Sequence, residues 1–129
     1  MLSRLLIITG TSGVGKSTMA SKLASSLGFR KSAATDTVRE VLRSQYSSSE
    51  IPALHRSSFE NAGGSAEEDW RETVEAVSDA VQAVISRSLG KANDLLMEGV
   101  HFYPNREVID SWKESGGSAV GIVLYVADE

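Results

Sequence analysis

The segment with the clearest chemistry is the glycine-rich stretch Gly10-Thr11-Ser12-Gly13-Val14-Gly15-Lys16-Ser17-Thr18. It has the spacing of a phosphate loop: a glycine, four variable residues, then Gly-Lys-Ser. Glycines let the backbone curl so that successive amides point at an anion, and a helix start adds partial positive charge there. All nine residues are therefore predicted to bind ATP. Lys16 would reach the β- and γ-phosphates and take part in catalysis, and the Ser17 hydroxyl would coordinate Mg²⁺.

Two carboxylates, Asp36 and Glu98, each stand at the end of a segment that is predicted to be a strand. In an open parallel sheet, ligands collect beyond the carboxyl ends of the strands. Asp36 is predicted to be catalytic, accepting a proton from an acceptor hydroxyl or holding it through a Mg²⁺-bound water. The alternative is that Asp36 or Thr37 only caps the next helix. Glu98 is predicted to bind the acceptor or to order Mg²⁺ or its waters, and otherwise is an exposed strand-end carboxylate.

Cationic and hydroxyl side chains near these positions are suited to an anionic substrate. Arg39 lies about one helical turn after Asp36, and the cluster His55-Arg56-Ser57-Ser58 could bind a phosphate or carboxylate. His101 could contact a substrate phosphate. The alternatives are a solvated helix end for the cluster and a structural role for His101. The predicted substrate-binding residues are thus Arg39, His55, Arg56, Glu98 and His101.

The elements that must position these residues alternate between strands and helices, which is typical of a parallel α/β fold. Apolar runs predict strands over 5–9, 95–97 and 120–126, and the short segment 32–35 is predicted to be a weak second strand. Helical patterns are predicted over 16–27, 37–45, 51–59, 66–89 and 104–114. Capping boxes are predicted at Thr37 with Glu40 and at Ser65 with Glu68. The phosphate loop would then stand between a buried strand and a helix, as the motif requires.

The composition of the chain excludes several classes of function. The chain has 129 residues, an ordinary length for one domain. A single nucleotide-binding domain is therefore expected over residues 1–129. Thirteen Lys and Arg against seventeen Asp and Glu give a net charge of -4, so no nucleic-acid partner is expected. With no cysteine and only two histidines, thiolate chemistry and His-rich metal cages are excluded. The apolar run at 5–8 is too short for a membrane span or a signal peptide, so a cytoplasmic protein without a membrane partner is expected.

Four blocks in order resemble the 2-phosphoglycerate kinase family: 10–18, Thr-Asp-Thr-Val-Arg-Glu-Val-Leu-Arg at 35–43, Leu-His-Arg-Ser-Ser-Phe at 54–59 and Glu-Gly-Val-His-Phe-Tyr-Pro at 98–104. The last two blocks are the most specific. The resemblance implies a three-layer P-loop fold and transfer of the γ-phosphoryl group of Mg·ATP to the 3-hydroxyl of 2-phosphoglycerate. It also implies that Asp36 orients or deprotonates the acceptor, while Arg39, His55 and Arg56 hold its carboxylate and phosphate.

The resemblance also implies five parallel strands in the order 2-3-1-4-5, with an arginine-bearing lid after the fourth. Only four strands are predicted here, in the order 2-3-1-4, so the lid and the fifth strand are expected to be missing. A fragment, a minimal homologue, and a chain that borrows these parts from a partner remain open, as does a homo-oligomer through the exposed sheet edge. Two other functions stay open: a kinase for another small acceptor, and a non-catalytic ATP-binding module.

Overall fold

A computed structural model describes residues 3–11, 13, 15–55, 65–102 and 106–125. The strands are β1 (Arg4–Gly10), β2 (Ser32–Ala34), β3 (Leu95–Gly99) and β4 (Ser118–Leu124). The helices are α1 (Lys16–Leu27), α2 (Thr35–Gln45), α3 (Ala66–Gly90) and α4 (Glu107–Glu114), with a 3-10 helix at Pro52–His55. The described strands form one parallel sheet in the order β2-β3-β1-β4, which confirms the predicted α/β fold and strand order.

Both faces of this sheet are covered, because successive strand residues point to opposite sides. Leu6 and Ile8 of β1 pack with Leu96 of β3 and with Ala20 of α1. Leu5 and the remaining inward side chains pack on the other face, against α3, α4 and the 3-10 helix; that cluster is Leu5, Ile7, Leu54, Val77, Val81, Ile85, Leu95, Met97, Trp112 and Ala119. The fold therefore has three layers, with the sheet in the middle. The carboxyl ends of β1, β2 and β3 lie side by side, along what is called the carboxyl edge below.

The start of α2 differs from the sequence prediction. The helix begins at Thr35, two residues early, and its N-cap residue is Ala34, which makes no side-chain capping hydrogen bond. The predicted capping box of Thr37 and Glu40 is therefore wrong. The Thr35 side chain is fully buried, at 0 % exposure, and its hydroxyl lies 2.8 Å from His101 Nδ1. This contact inside the fold holds Thr35 as the first residue of α2. A tertiary contact has overridden the local capping signal.

Elsewhere one capping box is confirmed and two element boundaries differ from the prediction. The capping box at Ser65 is confirmed, since Glu68 N donates to the Ser65 hydroxyl at 3.1 Å and Ser65 N donates to Glu68 Oε2 at 3.4 Å. Strand β4 runs over Ser118–Leu124, two residues earlier than predicted. The predicted helix over 51–59 is a 3-10 turn over Pro52–His55, and residues 56–59 lie outside the described part, as does Pro104. Among the described residues, no helix combines the length and apolar character needed to cross a membrane.

Candidate active site

The phosphate loop connects β1 to α1 at the carboxyl end of the central strand. Gly13 and Gly15 adopt left-handed backbone angles, with φ of 82° and 88°, which side-chain-bearing residues rarely tolerate. Gly15 is also the N-cap of α1, so the loop leads directly into the helix start. This is the local geometry that the motif predicts for an anion cradle. Ser12 and Val14 lie outside the described residues.

Lys16, the first residue of α1, is only 8 % exposed. Its Nζ donates a hydrogen bond of 2.6 Å to the carbonyl oxygen of Thr11 within the same loop. The ammonium group is thus held inside the curl of the loop, where phosphate oxygens would be stronger partners than a neutral carbonyl. Thr11, Ser17 and Thr18 are exposed around it.

Ser17 and Glu98 meet across two elements. The Ser17 hydroxyl donates to Glu98 Oε1 at 3.2 Å, joining the first turn of α1 to the end of β3. Strand register explains the meeting, because Ile8 of β1 pairs with Glu98 and Thr9 pairs with Gly99. The two oxygen-bearing side chains therefore stand beside the phosphate loop. A hydroxyl and a carboxylate are ligands that Mg²⁺ prefers.

Asp36 lies in the first turn of α2, immediately after β2. Its side chain is 80 % exposed. No hydrogen bond to its carboxylate is found within the described residues; the nearest partner is His101 Nδ1, at 3.9 Å from Asp36 Oδ1. At this distance the pair is too long for a hydrogen bond. Asp36 is thus an accessible carboxylate on the same edge of the sheet as Lys16 and Glu98.

His101 is buried, at 5 % exposure, so its ring makes its contacts inside the fold. Its Nδ1 lies 2.8 Å from the Thr35 hydroxyl. Burial lowers the pKa of His101 below its usual 6.5; the Asp36 carboxylate opposes this shift, and the charges of Arg39 and Lys16 add to it. The net direction is downward, so the imidazole is neutral at pH 7.

The cationic residues predicted to bind substrate are not all brought to this edge. Arg39 is half-buried, and its Nε donates to the carbonyl oxygen of Leu54 at 3.1 Å. His55 Nε2 bonds the carbonyl oxygen of Tyr46 at 2.7 Å, at the C-cap of α2. Because α2 has 11 residues and is about 16 Å long, His55 lies at the far end of the helix from Asp36. Arg56 lies outside the described residues.

A cavity of about 390 Å³ opens between α1 and β2. Ser17, Glu98 and Thr37 line its polar side, next to the phosphate loop. Its apolar lining comes from small side chains of α1 and β2 and from β3: Ala20, Ala24, Ala33, Ala34 and Leu96. There is thus room for a small molecule beside the Ser17–Glu98 pair.

Two residues that shape this edge were missed by the sequence analysis, Thr35 and Gly99. A Cβ on Gly99 would lie 2.8 Å from the Thr35 Cβ, and closer still to its hydroxyl. Glycine directly after a strand-end acid, and threonine directly before Asp36, were visible as residue types. What connects them is the register of β2 on β3, which no local sequence pattern specifies.

Comparison with known proteins agrees with the sequence resemblance. Over 114 residues, the chain is 34% identical to a 2-phosphoglycerate kinase of Pyrococcus furiosus, covering 82% of this chain and 38% of the relative. Over 110 residues, it is 36% identical to a 2-phosphoglycerate kinase of Methanothermobacter thermautotrophicus, covering 78% of this chain and 36% of the relative. The chain thus spans less than two-fifths of the length of these relatives. The predicted resemblance to this family is confirmed.

Structural comparison supports the fold. A chain from Chloroflexus aurantiacus, proposed to be a kinase, superposes with a TM-score of 0.57 at 20% identity, covering 95% of this chain and 59% of that one. At this identity the likeness concerns the fold alone. The family model AAA_18, described as an AAA domain, matches residues 6–129, which include the phosphate loop, Asp36 and Glu98. This match covers nearly the whole sequence, and the chain therefore belongs to the AAA_18 family of P-loop domains.

Proposed function

We propose that the protein is an ATP-dependent kinase that transfers the γ-phosphoryl group of Mg·ATP to the hydroxyl of 2-phosphoglycerate or a similar anionic hydroxy acid. The observation that carries the proposal is the contact of Ser17 with Glu98, at 3.2 Å, on the sheet edge that also exposes Asp36. A phosphate-loop hydroxyl, a second oxygen ligand and an accessible carboxylate are the parts that phosphoryl transfer requires. The names of the curated relatives support the choice of acceptor.

The nucleotide would lie with its phosphates in the loop between β1 and α1. The backbone amides around Gly13 and Gly15, together with the start of α1, would bind phosphate oxygens. Lys16 would exchange its hydrogen bond with the Thr11 carbonyl for the β- and γ-phosphates. This places the positive charge next to the oxygens on which negative charge is redistributed during transfer.

Magnesium fits the residues on this edge. Ser17 and Glu98 supply two oxygen donors, and the described residues contain no cluster of three His, Asp or Glu side chains that would form a self-sufficient metal cage. Mg²⁺ in phosphoryl-transfer sites usually takes one or two protein oxygens and completes its shell with phosphate and water. When bound, the ion would neutralise charge on the β- and γ-phosphates.

Asp36 would contact the hydroxyl of the acceptor. Its carboxylate would accept the proton of the acceptor hydroxyl while that oxygen forms a bond to the γ-phosphorus and the bond to the ADP oxygen breaks. The cavity beside Ser17, Thr37 and Glu98 has room for a three-carbon acid. Arg39 and Arg56 remain the proposed partners of the acceptor's negative charges, and His55 would need to be reached from the far end of α2.

Phosphorus NMR tests the proposal. The purified chain is incubated with Mg·ATP and 2-phosphoglycerate, with Lys16→Ala as the blank and Asp36→Asn as a second variant. We expect bisphosphoglycerate resonances to appear with those of ADP, and both variants to be inactive, Asp36→Asn while still binding ATP. ATP binding without product in the wild type would contradict the proposed transfer to this acceptor. Full turnover in Asp36→Asn would remove Asp36 from the mechanism.

A further inference from the structure

We propose that His101 is a positioning residue, which fixes Asp36 at the head of α2 through its hydrogen bond to Thr35. This inference rests on the proposed function for its kinetic consequence. It replaces direct substrate contact, the role that the sequence suggested for His101, with an indirect one.

The first step is the register of β2 on β3. Ala34 is paired with Glu98, so the next residues along each strand, Thr35 and Gly99, lie side by side. The Thr35 side chain occupies the space that a Cβ of residue 99 would need, with Cβ and Cγ2 atoms 2.8 and 2.9 Å from that position. Glycine at 99 is therefore the condition for Thr35 to turn inward.

The second step is the buried hydrogen bond that Thr35 then makes. Its hydroxyl lies 2.8 Å from His101 Nδ1, and the two residues are 0 % and 5 % exposed. Two buried polar side chains of this kind must satisfy each other, because water does not replace a lost partner there. The loop that carries His101 is held in turn by Trp70, whose Nε1 donates to the carbonyl oxygen of Val100 at 2.7 Å.

The third step is that α2 has no side-chain cap. Helix starts are usually fixed by a capping side chain, and Ala34 cannot provide one. The Thr35–His101 hydrogen bond ties the first residue of α2 to the loop after β3 in place of a cap. Asp36 is the next residue, and its exposed carboxylate has no hydrogen bond of its own within the described residues, so its position follows from the backbone of this first turn.

The fourth step is that the His101 ring is neutral and leaves the Asp36 carboxylate unpaired by charge. With a lowered pKa, the imidazole carries no charge at pH 7, and it does not form an ion pair with Asp36 across the 3.9 Å that separate them. The carboxylate therefore stays available to an acceptor hydroxyl while its backbone is held.

Isosteric variants test the role. Thr35→Val keeps the shape of the side chain and removes the hydroxyl, while Thr35→Ser keeps the hydroxyl. His101→Asn places a side-chain amide near the position of Nδ1, whereas the longer side chain of His101→Gln places its amide near the position of Nε2. Turnover and the KM of ATP are measured for Thr35→Val, Thr35→Ser, His101→Asn and His101→Gln. Thr73→Val is the matched control, because it removes a hydroxyl that donates to Asp69 O at 3.0 Å within α3.

We expect kcat to fall by roughly 10- to 100-fold in Thr35→Val and His101→Gln, the order of loss that a misplacement of about 1 Å causes. The KM of ATP should be unchanged, Thr35→Ser and His101→Asn should recover most of the turnover, and Thr73→Val should turn over as the wild type does. Wild-type kcat in folded Thr35→Val would overturn the inference.

NMR of the unliganded chain separates this inference from the proposed function. The amide and carboxyl-carbon signals of Asp36 should shift more in His101→Gln than in His101→Asn, because both variants lose the ring and only the second keeps a partner near Nδ1 for the Thr35 hydroxyl. They should stay in place in Thr73→Val. This readout needs no turnover, so an inactive wild type would refute the kinase while the Asp36 signals still decide the role of His101. Asp36 signals that are the same in folded His101→Gln and His101→Asn would overturn the inference by themselves.

Discussion

The polar and charged side chains at the two ends of the parallel sheet differ in the partners that they contact. At the amino edge, formed by Ser3, Arg4, Asp94 and Trp112, each of these residues has a close partner. Arg4 donates to Asp94 through its amide, Nε and Nη2, at 2.7, 2.9 and 2.7 Å, and its guanidinium lies 4.3 Å from the centre of the Phe29 ring. Trp112 Nε1 donates to the carbonyl oxygen of Ser3 at 3.1 Å.

At the carboxyl edge, formed by Lys16, Ser17, Asp36 and Glu98, no charged group has an oppositely charged partner within hydrogen-bond distance among the described residues. Lys16 binds a loop carbonyl, Ser17 and Glu98 share one exposed hydrogen bond, and Asp36 is 80 % exposed. Charges that only stabilise a fold tend to be paired, whereas charges that bind ligands must be free to change partner. We therefore expect the amino edge to contribute stability and the carboxyl edge to bind the ligands of the proposed function.

The largest effect that would sharpen this contrast is expected at Trp112. The side chain is 1 % exposed and packs in the larger core cluster. Trp112→Ala should lower the free energy of unfolding by about 3–5 kcal/mol, as large-to-small core substitutions do. Urea denaturation measures this loss, and Mg·ATP affinity of the folded variant should stay unchanged. An affinity that falls with stability would mean that the two edges are not separable.

A substitution at Gly99 should lower both stability and turnover, because Gly99 packs against Thr35 and lies at the carboxyl edge. Gly99→Ala would push against Thr35, so we expect a loss of about 1–3 kcal/mol together with lost turnover. Gly28→Ala is the matched control: Gly28 has φ of 72° and open space around its Cβ position, so only backbone strain of about 1–2 kcal/mol is expected. Retained turnover in Gly99→Ala, measured below its unfolding temperature, would argue against the coupling.

These two glycines also show what the sequence could and could not predict. The end of α1, just before Gly28, the phosphate loop and the Ser65 capping box could be predicted because motifs and periodicity are local, whereas the strand order was expected only from the family resemblance. The partners Arg4 with Asp94 and Thr35 with His101 are 90 and 66 residues apart. They exist only through strand register, so the sequence analysis missed both pairs and placed the start of α2 two residues late.

Removing the ion pair of the amino edge should have a smaller effect. Burial alone would raise the pKa of Asp94, but the hydrogen bonds and charge of Arg4 outweigh it and hold the pKa below its usual 3.8. Asp94→Asn should cost about 1–2 kcal/mol at pH 7, since the pair is partly exposed. The wild-type advantage should vanish as the pH falls below 3.8 and the carboxylate is protonated. An advantage that persists in acid would contradict this assignment.

The smallest effect concerns His101, at the carboxyl edge. Its native pKa is lowered by burial and by Arg39 and Lys16, against the opposing charge of Asp36. Below pH 6.5 the unfolded chain binds a proton that the native chain does not, so stability should decline as the pH falls from 6.5 toward the native pKa. The slope from this group is at most about 1.4 kcal/mol per pH unit. Comparing urea midpoints of the wild type and His101→Asn over pH 5–7.5, in about unit steps, isolates it. Equal slopes in the two proteins would mean that His101 titrates normally.

The most direct test of the central claim is calorimetric titration of the chain with Mg·ATP, comparing the wild type with Lys16→Ala and Lys22→Ala. Both lysines lie on α1, and Lys22 is exposed and lies outside the phosphate loop. A carboxyl edge built for nucleotide predicts binding by the wild type and by Lys22→Ala, with at least about a tenfold loss in Lys16→Ala, the equivalent of about 1.4 kcal/mol. Equal affinity of all three proteins for Mg·ATP would contradict it.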